Sequence, residues 1–312
     1  MFSVIFPGQG SQIVGMGKEF YTKFDTVKNF FNDADEILGF SISNLILEGP
    51  KDKLDLTENT QPAIFLVGYS IFQLLKKEFN IDLNKANFFA GHSLGEYTAL
   101  ASANALSFSD TLRILKIRGN AMQSAVPKGE GGMVAVLGSE IEKIEKIIEE
   151  NKNKYECFIA NDNSNGQLVV SGNNNEIEKF ILDLKSNSIK NIKLPVSAPF
   201  HCRLMKKAAD TMEVYIADLE ILCPKIILIN NVDAAPITDP IKIKEGLIRQ
   251  ITETVRWRES IQNMCELGSS YFVELGAGNV LSGLVKRINK NVESISIQNI
   301  DDIENFVNNL ER

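Results

Sequence analysis

The sequence predicts an α/β protein in which a smaller unit of βαββαβ order interrupts a larger core. Two short apolar runs that end in glycine-rich turns are typical of buried strands in such a core. The rhythm of apolar residues changes after a cluster of glycines that ends at Gly132, and core-like elements resume near residue 197. We therefore expect a core formed by residues 1–127 and 197–312, with residues 128–196 inserted into it.

In the first part of the core, apolar runs predict two strands and helical periodicity predicts four helices. The strands are residues 2–6 and 87–90, and each leads into a turn that contains glycine. A proline is typical of the first turn of a helix, so Pro62 indicates that one helix begins with the pair Gln61 and Pro62. The predicted helices are residues 20–38, 61–75, 96–103 and 109–125.

The inserted unit is predicted from six short elements of alternating type. They are strand 133–137, helix 140–151, strands 157–160 and 167–171, helix 176–184 and strand 189–196. This βαββαβ order is that of a ferredoxin-like unit. After it, the pattern predicts a helix over 202–219, a strand over 226–230, a helix that includes 244–250 and a strand over 270–275.

The composition excludes several classes of protein. Of the 312 residues, 44% are apolar and 23% are charged, which excludes collagen-like, coiled-coil and disordered chains. Lys and Arg number 33 while Asp and Glu number 40, and the resulting formal charge of −7 argues against a nucleic-acid partner. The four cysteines form no CxxC motif, so we expect free thiols.

The hydropathy of the chain argues against a membrane protein. No apolar stretch approaches the ~20 residues that are needed to cross a bilayer. The N-terminus lacks the basic segment of a signal peptide and runs directly from a predicted strand into a glycine turn. We therefore expect a cytoplasmic protein with no membrane partner.

The turn Gly91-His92-Ser93-Leu94-Gly95 fits the pattern G-x-S-x-G of a nucleophile elbow. Glycines flank the serine in such a turn because the backbone bends sharply between a strand and a helix, where side chains would collide. A five-residue pattern also fits a purely structural glycine turn. The predicted strand before it and the predicted helix after it favour the elbow, which makes Ser93 the candidate nucleophile.

A serine nucleophile needs a base, and the chain contains two histidines. His92 is adjacent to Ser93, so on a sharp turn its ring is expected to point away and to pack beneath the turn. His201 lies at the start of a predicted helix and is, by elimination, the candidate base. A histidine with a purely structural role remains the alternative for His201.

A nucleophilic serine also requires donors that hold the developing oxyanion. In an elbow, the backbone N–H that follows the serine has this position, which indicates Leu94. The second donor is expected from a loop at the end of another core strand. The loop Pro7-Gly8-Gln9-Gly10 follows the first strand, and the backbone of Gln9 is the natural choice.

Further short motifs lie along the chain in a fixed order. They are Phe6-Pro7-Gly8-Gln9-Gly10-Ser11-Gln12 with Gly15-Met16-Gly17, Thr60-Gln61-Pro62-Ala63, Gly91-His92-Ser93-Leu94-Gly95-Glu96-Tyr97, Arg118-Gly119, Pro199-Phe200-His201-Cys202, Asn230-Asn231-Val232, Gln250, Val255-Arg256-Trp257 and Glu274-Leu275-Gly276. In this order and at this spacing, the sequence resembles the family of malonyl-CoA:acyl carrier protein transacylases over essentially its whole length.

The resemblance implies an α/β-hydrolase-like core that carries a ferredoxin-like insert, with a Ser-His dyad on the core. Ser93 would take the acyl group. His201 would remove the serine proton and later return a proton to the departing thiol. In this family a backbone carbonyl orients the imidazole, and Gln250 stands at that position, so no catalytic carboxylate is expected.

The resemblance also implies how the acyl group is selected. Arg118 matches the arginine that pairs with the free carboxylate of the malonyl group, where a planar guanidinium provides two directional bonds. Apolar neighbours on the predicted helix indicate that Arg118 is partly buried. Phe200 has a bulk that favours malonyl over methylmalonyl groups. Asn161 and Gln61 match positions that line the site.

The implied reaction is transfer of malonyl from malonyl-CoA to the phosphopantetheine thiol of acyl carrier protein, by a ping-pong route in fatty acid biosynthesis. Coenzyme A enters as the donor thioester, and we expect neither a bound cofactor nor a metal. The carrier proteins that are the partners of this family are acidic. Basic residues near site segments are therefore candidates for carrier docking: Lys206, Lys207, Lys286 and Arg287.

Two other functions use the same residues differently. A hydrolase or thioesterase would resolve the acyl group on Ser93 with water instead of a thiol. A non-catalytic module would keep the fold for carrier binding and would not need Ser93. The absence of an evident acid partner for His201, together with a partly buried Arg118, favours transfer of a carboxylated acyl group.

Overall fold

The computed structural model describes residues 1–196 and 198–310. Ten strands form within these residues: β1 Phe2–Phe6, β2 Phe89–Gly91, β3 Gly131–Leu137, β4 Cys157–Ser164, β5 Gln167–Asn173, β6 Lys190–Lys193, β7 Leu228–Ile229, β8 Pro236–Ile237, β9 Tyr271–Leu275 and β10 Glu293–Ile297. The predicted core resumes at residue 197 and extends to residue 312. Residues 197, 311 and 312 lie outside the described residues.

Helices connect these strands. The described residues form α1 Lys18–Lys23, α2 Asp25–Leu38, α3 Ile42–Glu48, α4 Lys51–Leu54, α5 Thr57–Lys77, α6 Gly95–Ser102, α7 Phe108–Ser124, α8 Ile141–Glu150, α9 Asn174–Ser186, α10 Lys206–Ala217, α11 Pro240–Arg249, α12 Trp257–Glu266, α13 Val280–Ile288 and α14 Ile300–Leu310. Two short 3₁₀ helices cover Leu83–Lys85 and Arg203–Met205.

Six strands form one sheet in the order β10-β9-β1-β2-β7-β8. Its neighbouring strands are parallel except for β7 and β8, which are antiparallel. Successive side chains of β1 enter different apolar clusters: Ile5 packs with Trp257, while Phe6 belongs to the larger cluster. Both faces of the sheet are therefore covered, as a parallel sheet requires. The predicted α/β class is confirmed.

Four strands form a second, antiparallel sheet in the order β4-β5-β3-β6. With α8 and α9 it gives the element order βαββαβ, which the sequence predicted for this stretch. A separate apolar cluster, which includes Val134, Ile144 and Phe180, packs the two helices against this sheet. The sheet thus has a core of its own.

The two sheets are joined along strand β4. Asn161 forms an isolated parallel bridge with Val255, and the Asp162 N–H donates to the Val255 carbonyl at 3.0 Å. The carboxylate of Asp162, which is buried, forms an ion pair with Arg258 on α12 at 2.8 Å. The Arg258 Nε also donates to both carboxylate oxygens, at 3.1 and 2.9 Å. These charge-assisted bonds are directional, so they help to hold the two sheets together.

Two predicted helices begin or break elsewhere than expected. The single helix predicted over 20–38 is two helices, because the backbone at Phe24 is extended. Helix α5 begins at Thr57, ahead of the predicted start, and contains Pro62 in its interior. Nearly all of α5 is buried. Burial of many side chains outweighs the one backbone hydrogen bond that a proline removes.

Helix α11 begins at Pro240 because the Asp239 side chain accepts from the N–H of Ile241 at 2.8 Å and of Lys242 at 3.4 Å. An acidic N-cap followed by proline is a sequence signal for a helix start, and the predicted helix over 244–250 missed it. The helix predicted over 202–219 is a short 3₁₀ turn at Arg203–Met205 followed by α10 at Lys206–Ala217.

The described residues contain neither a membrane-spanning helix nor a cluster of metal ligands. Their helices include none with both the length and the apolar character that crossing a membrane requires. No cluster of three or more His, Cys, Asp or Glu side chains in this part of the chain could hold a metal ion. The four cysteines, all described, are free thiols as predicted.

Candidate active site

Two loops meet where strands β1 and β2 end, at the same edge of the large sheet. β1 leads into the loop of Gln9, and β2 leads into the predicted elbow. A Cβ atom on Gly91 would lie 1.9 Å from the backbone of Gly95, and one on Gly95 would lie 2.3 Å from the Phe6 carbonyl oxygen. Only glycine fits at either position. The turn is as sharp as predicted, and Ser93 has a left-handed backbone with φ of 54°.

Asn231, which follows β7, holds this turn from the neighbouring strand. Its Nδ2 donates to the Gly91 carbonyl at 2.7 Å, and its Oδ1 accepts from the Ser93 N–H at 2.7 Å. These two bonds satisfy backbone groups that the left-handed turn leaves without partners in the strand or the helix. Asn231 belongs to one of the sequence motifs, but the motif alone indicated no role for it.

The structure brings Ser93 and His201 together. The Ser93 Oγ lies 2.9 Å from the His201 Nε2, and the His201 Nδ1 lies 2.7 Å from the backbone oxygen of Gln250. A carbonyl only accepts, so Nδ1 carries the proton of the neutral ring and Nε2 presents a lone pair to the serine. This tautomer is the one that can remove the serine proton.

The same site keeps the imidazole neutral. Burial, and next to it the positive charge of Arg118, lowers the pKa of His201 to about 3. His201 therefore becomes protonated, and stops acting as a base, only at pH values far below the usual pKa of 6.5.

We therefore expect the acylation of Ser93 by a neutral activated ester to change by less than about twofold between pH 8 and pH 5. The rate is measured by stopped-flow release of the ester's leaving group, with the same ester in buffer as the blank. A rate that is halved near pH 6.5 would contradict an imidazole that its surroundings hold neutral.

Arg118 is more deeply buried than the sequence predicted, with 1% of its surface exposed. Its terminal nitrogens donate to the Gln61 Oε1 at 2.8 Å, the Gln250 Oε1 at 2.8 Å and the Ser93 Oγ at 3.2 Å. Its guanidinium lies 5.6 Å from the ring centre of Tyr97. Within the described residues its Nε has no partner. A buried cation beside the serine is suited to an anionic group of a substrate.

Gln250 uses both its backbone and its side chain. Besides the carbonyl that faces His201, its amide Nε2 donates to the Ser93 carbonyl at 3.1 Å and to the Glu96 Oε2 at 2.6 Å. Its Oε1 accepts from Arg118. Only the backbone role of Gln250 was predicted, because the family resemblance concerns the orientation of the imidazole.

Glu96 is a second residue for which the sequence indicated no role. It lies in the first turn of α6, is 5% exposed and also accepts from the Asn231 N–H at 3.1 Å. Burial raises the pKa of Glu96 to about 7, against the opposing effect of the Gln250 and Asn231 hydrogen bonds and the charge of Arg118. The sequence shows a glutamate three residues after the serine, but it does not show that this side chain is buried.

The predicted oxyanion donors, Leu94 and Gln9, both line the cleft in front of Ser93. Within the described residues, no acceptor is hydrogen-bonded to the backbone N–H of either residue. The Gln12 Oε1 accepts from the Gly10 N–H at 2.7 Å, which holds the loop that contains Gln9 in place. Two free N–H groups beside a serine hydroxyl can stabilise a negative oxygen.

The cleft that contains Ser93 has a volume of about 530 Å³, which is ordinary for a site that binds a small molecule. Side chains of the second sheet form part of its wall, among them Asn161 and Val169. Phe200 also lines it and is 8% exposed. Gln61 lines it too, where it holds Arg118.

The other histidine, His92, has contacts of its own. The His92 Nε2 lies 2.8 Å from the Asn163 Oδ1, and its ring centre lies 5.6 Å from that of Trp257. Burial lowers the pKa of His92. Both contacts join His92 to residues other than Ser93. Of the two histidines, His201 is the one that contacts the serine.

The four predicted docking residues lie on two helices. Lys206 and Lys207 are exposed at the start of α10, where Lys206 pairs with Asp210. Lys286 and Arg287 are exposed on α13. Arg287 donates to the Oε1 of Gln167, a residue that lines the cleft, at 2.5 Å. Of the two pairs, the one on α13 is linked to the mouth of the cleft by a direct contact.

Comparisons with known proteins agree over nearly the whole chain. The profile of the acyl transferase domain family matches residues 3–305. A malonyl CoA-acyl carrier protein transacylase of Bacillus subtilis (strain 168) is 40% identical over 302 residues, which are 96% of this chain and 94% of that protein. A protein of the same name from Escherichia coli (strain K12) is 36% identical over 288 residues, with 92% of each chain covered.

Solved structures give the same result. The acyl-carrier-protein-S-malonyltransferase of Bartonella henselae superposes with a TM-score of 0.96 at 39% identity, over 100% of this chain and 99% of that one. A malonyl-transacylase solved in complex with its type II PKS acyl-carrier protein superposes with a TM-score of 0.95 at 34% identity, over 99% of each chain.

Proposed function

We propose, because this chain belongs to the malonyl CoA-acyl carrier protein transacylases of the acyl transferase domain family, that it transfers malonyl groups from malonyl-CoA to acyl carrier protein. The observation that carries the proposal is a serine and a neutral histidine 2.9 Å apart beside a buried arginine. We assign the reaction to the cytoplasmic supply of malonyl groups for fatty acid synthesis. No bound cofactor or metal takes part in it.

In the first half-reaction, Ser93 attacks the thioester carbonyl while the His201 Nε2 takes the hydroxyl proton. The N–H groups of Leu94 and Gln9 stabilise the oxyanion. When the tetrahedral intermediate collapses, the carbon–sulfur bond breaks and His201 returns the proton to the sulfur of coenzyme A. The malonyl group is then an ester on Ser93.

In the second half-reaction, the phosphopantetheine thiol of the carrier takes the place of coenzyme A. His201 removes the thiol proton, the sulfur attacks the ester carbonyl, and the ester bond to Ser93 breaks as His201 returns the proton to the Oγ. The Gln250 carbonyl holds the ring in the same tautomer throughout, because it accepts from Nδ1 in both steps. A backbone carbonyl thus takes the place of an acid.

Arg118 selects the acyl group. Its hydrogen bonds to Gln61, Gln250 and Ser93 hold the guanidinium next to the reacting oxygen, with its charge available to an acyl carboxylate. The carboxylate of a malonyl ester on Ser93 is one carbon removed from the carbonyl, which suits a cation in contact with Ser93. Phe200 limits the space beside the α-carbon and disfavours a methyl branch there.

The domain organisation is part of the proposal. We divide the chain into an α/β-hydrolase-like core of residues 1–127 and 197–312 and a ferredoxin-like insert of residues 128–196. The parallel order of the large sheet and the strand order β4-β5-β3-β6 of the small one support this division. The cleft then lies between the core, which carries Ser93 and His201, and the insert.

The test is a transfer assay with the purified chain, malonyl-CoA and a holo acyl carrier protein. We expect malonyl-carrier and free coenzyme A in equal amounts, with little free malonate when the carrier is omitted. Release of malonate at the same rate with and without carrier would identify a hydrolase instead. Absence of both products would leave the non-catalytic module as the explanation.

A further prediction concerns the docking of the carrier protein on α13. We expect the double variant Lys286→Glu/Arg287→Glu to raise the KM for acyl carrier protein about tenfold, because reversed charges repel an acidic partner. The KM for malonyl-CoA is the internal comparison.

The matched control is Lys76→Glu/Lys77→Glu, an adjacent exposed pair in the last turn of α5. The chain runs from there to the start of β2, so this pair lies at the edge of the sheet away from Ser93. We expect a carrier KM close to that of the unaltered chain. An equal rise in both double variants would mean that net charge, and not a surface on α13, governs carrier binding.

A further inference from the structure

Arg118 is a buried cation, and its hydrogen-bond acceptors among the described residues are all neutral. They are the side-chain oxygens of Gln61, Ser93 and Gln250. No carboxylate of the described residues forms an ion pair with it. A buried charge is strongly destabilised unless an opposite charge compensates for lost hydration. Arg118 therefore needs a source of negative charge that does not occupy the place of the substrate.

Glu96 is connected to Arg118 through a single side chain. The Glu96 Oε2 accepts from the Gln250 Nε2 at 2.6 Å, and the Gln250 Oε1 accepts from Arg118 at 2.8 Å. A carboxylate accepts and a guanidinium donates, so the amide can stand between them in one orientation only. The dipole of the amide then points its negative end at the cation and its positive end at the carboxylate.

The two charges also act on each other directly. The charge of Arg118 lowers the pKa of Glu96, and the charge of Glu96 raises the pKa of Arg118, in each case against the larger effect of burial. Glu96 lies in the first turn of α6, where the helix dipole also stabilises a negative group. The mutual attraction is therefore present without contact between the two groups.

We propose that Glu96 is the counter-charge of Arg118 and acts on it through the amide of Gln250. The proposal rests on the proposed malonyl transfer, in which Arg118 binds the acyl carboxylate. The two opposite charges form a neutral pair, and a bound malonyl group adds a second negative charge near the same cation. Glu96 is thus a positioning residue that weakens malonyl binding, so that the group can be passed on.

The test isolates binding from chemistry in a Ser93→Ala background, where no acyl ester can form. Calorimetry at pH 8 and low ionic strength compares malonyl-CoA with acetyl-CoA, which lacks the carboxylate. The additional change Glu96→Gln keeps an oxygen for Gln250 and Asn231 but removes the charge. We expect it to tighten malonyl-CoA binding about tenfold and to leave acetyl-CoA binding unchanged.

Glu274 provides the matched control. It is buried like Glu96, burial likewise raises its pKa to about 7, and it accepts from the N–H of Leu281 at 3.1 Å and of Ser282 at 2.7 Å. It does not line the cleft. We expect Glu274→Gln to leave both affinities unchanged, so that a general cost of losing a buried carboxylate is separated from the effect on Arg118.

A second measurement needs no change at Glu96. Lowering the pH from 8 to 6 protonates Glu96, whereas the other charged groups that act on it, Arg118 and Asp233, keep their charges in this range. In the Ser93→Ala chain, the ratio of malonyl-CoA to acetyl-CoA affinity should rise on acidification. Because both ligands carry the same coenzyme A, its own titration cancels in the ratio.

The outcomes are distinct. Unchanged or weaker malonyl-CoA binding in Glu96→Gln, with a ratio that does not rise at pH 6, would overturn the counter-charge. If Ser93→Ala alone does not distinguish malonyl-CoA from acetyl-CoA, the failure lies with the proposed role of Arg118. Loss of both affinities in Glu96→Gln, but not in Glu274→Gln, would mean that Glu96 only holds the fold of the site.

Discussion

Replacing Ser93 with alanine is expected to abolish the malonyl adduct and to lower malonyl transfer by about 10⁴-fold or more. The Oγ is the atom that forms the ester, and no other hydroxyl of the described residues lies within hydrogen-bonding distance of the His201 Nε2. The measurement is intact-protein mass after mixing with malonyl-CoA, followed by addition of carrier protein. The unaltered chain should gain the mass of one malonyl group and lose it to the carrier.

Ser102 offers a matched control for this variant. It is the last residue of helix α6, which follows the turn of Ser93; it is buried, and its hydroxyl has no partner among the described residues. Ser102→Ala should therefore form and discharge the adduct at a normal rate. A malonyl adduct that persists in Ser93→Ala would show that another residue is acylated. Transfer that proceeds without any adduct would argue for direct attack of the carrier thiol on malonyl-CoA.

The elbow and its base could be predicted because each depends on few residues. Three fixed positions define the turn around Ser93, and a chain with two histidines leaves little choice of base. The close approach of Gly91 to Gly95 explains why the pattern is informative, since a Cβ at either position would collide with backbone. Local sterics of this kind are visible in a sequence.

The network behind the serine could not be predicted in the same way. Asn231 and Gln250 reach Glu96 across 135 and 154 residues of sequence. The contact of Asn231 depends on β7 lying next to β2, a pairing that apolar patterns do not specify. The break at Phe24 is similar, because the helical periodicity continues across it while the backbone does not. Long-range pairing and local dihedral angles are determined by packing, which a pattern of apolar residues records only in part.

Replacing Arg118 with methionine is expected to lower kcat/KM for malonyl-CoA by more than about 100-fold and to leave that for acetyl-CoA within about threefold. Loss of a buried, charge-assisted bond costs about 3 kcal/mol, which accounts for a factor of that size. Methionine keeps an unbranched apolar stem and so fills most of the space of the arginine. The measurement is the ratio of the two specificity constants, which a loss of folded protein alone would not change.

Arg118→Lys separates charge from geometry. A lysine keeps the positive charge but cannot bind Gln61, Gln250 and a carboxylate in one plane, as the guanidinium can. We therefore expect malonyl discrimination between that of the methionine variant and that of the unaltered chain. If lysine restores it fully, charge alone selects the acyl group. If the methionine variant still prefers malonyl-CoA, the carboxylate must bind elsewhere in the cleft, and the deep burial of Arg118 would then serve the packing of α7 and not the choice of substrate.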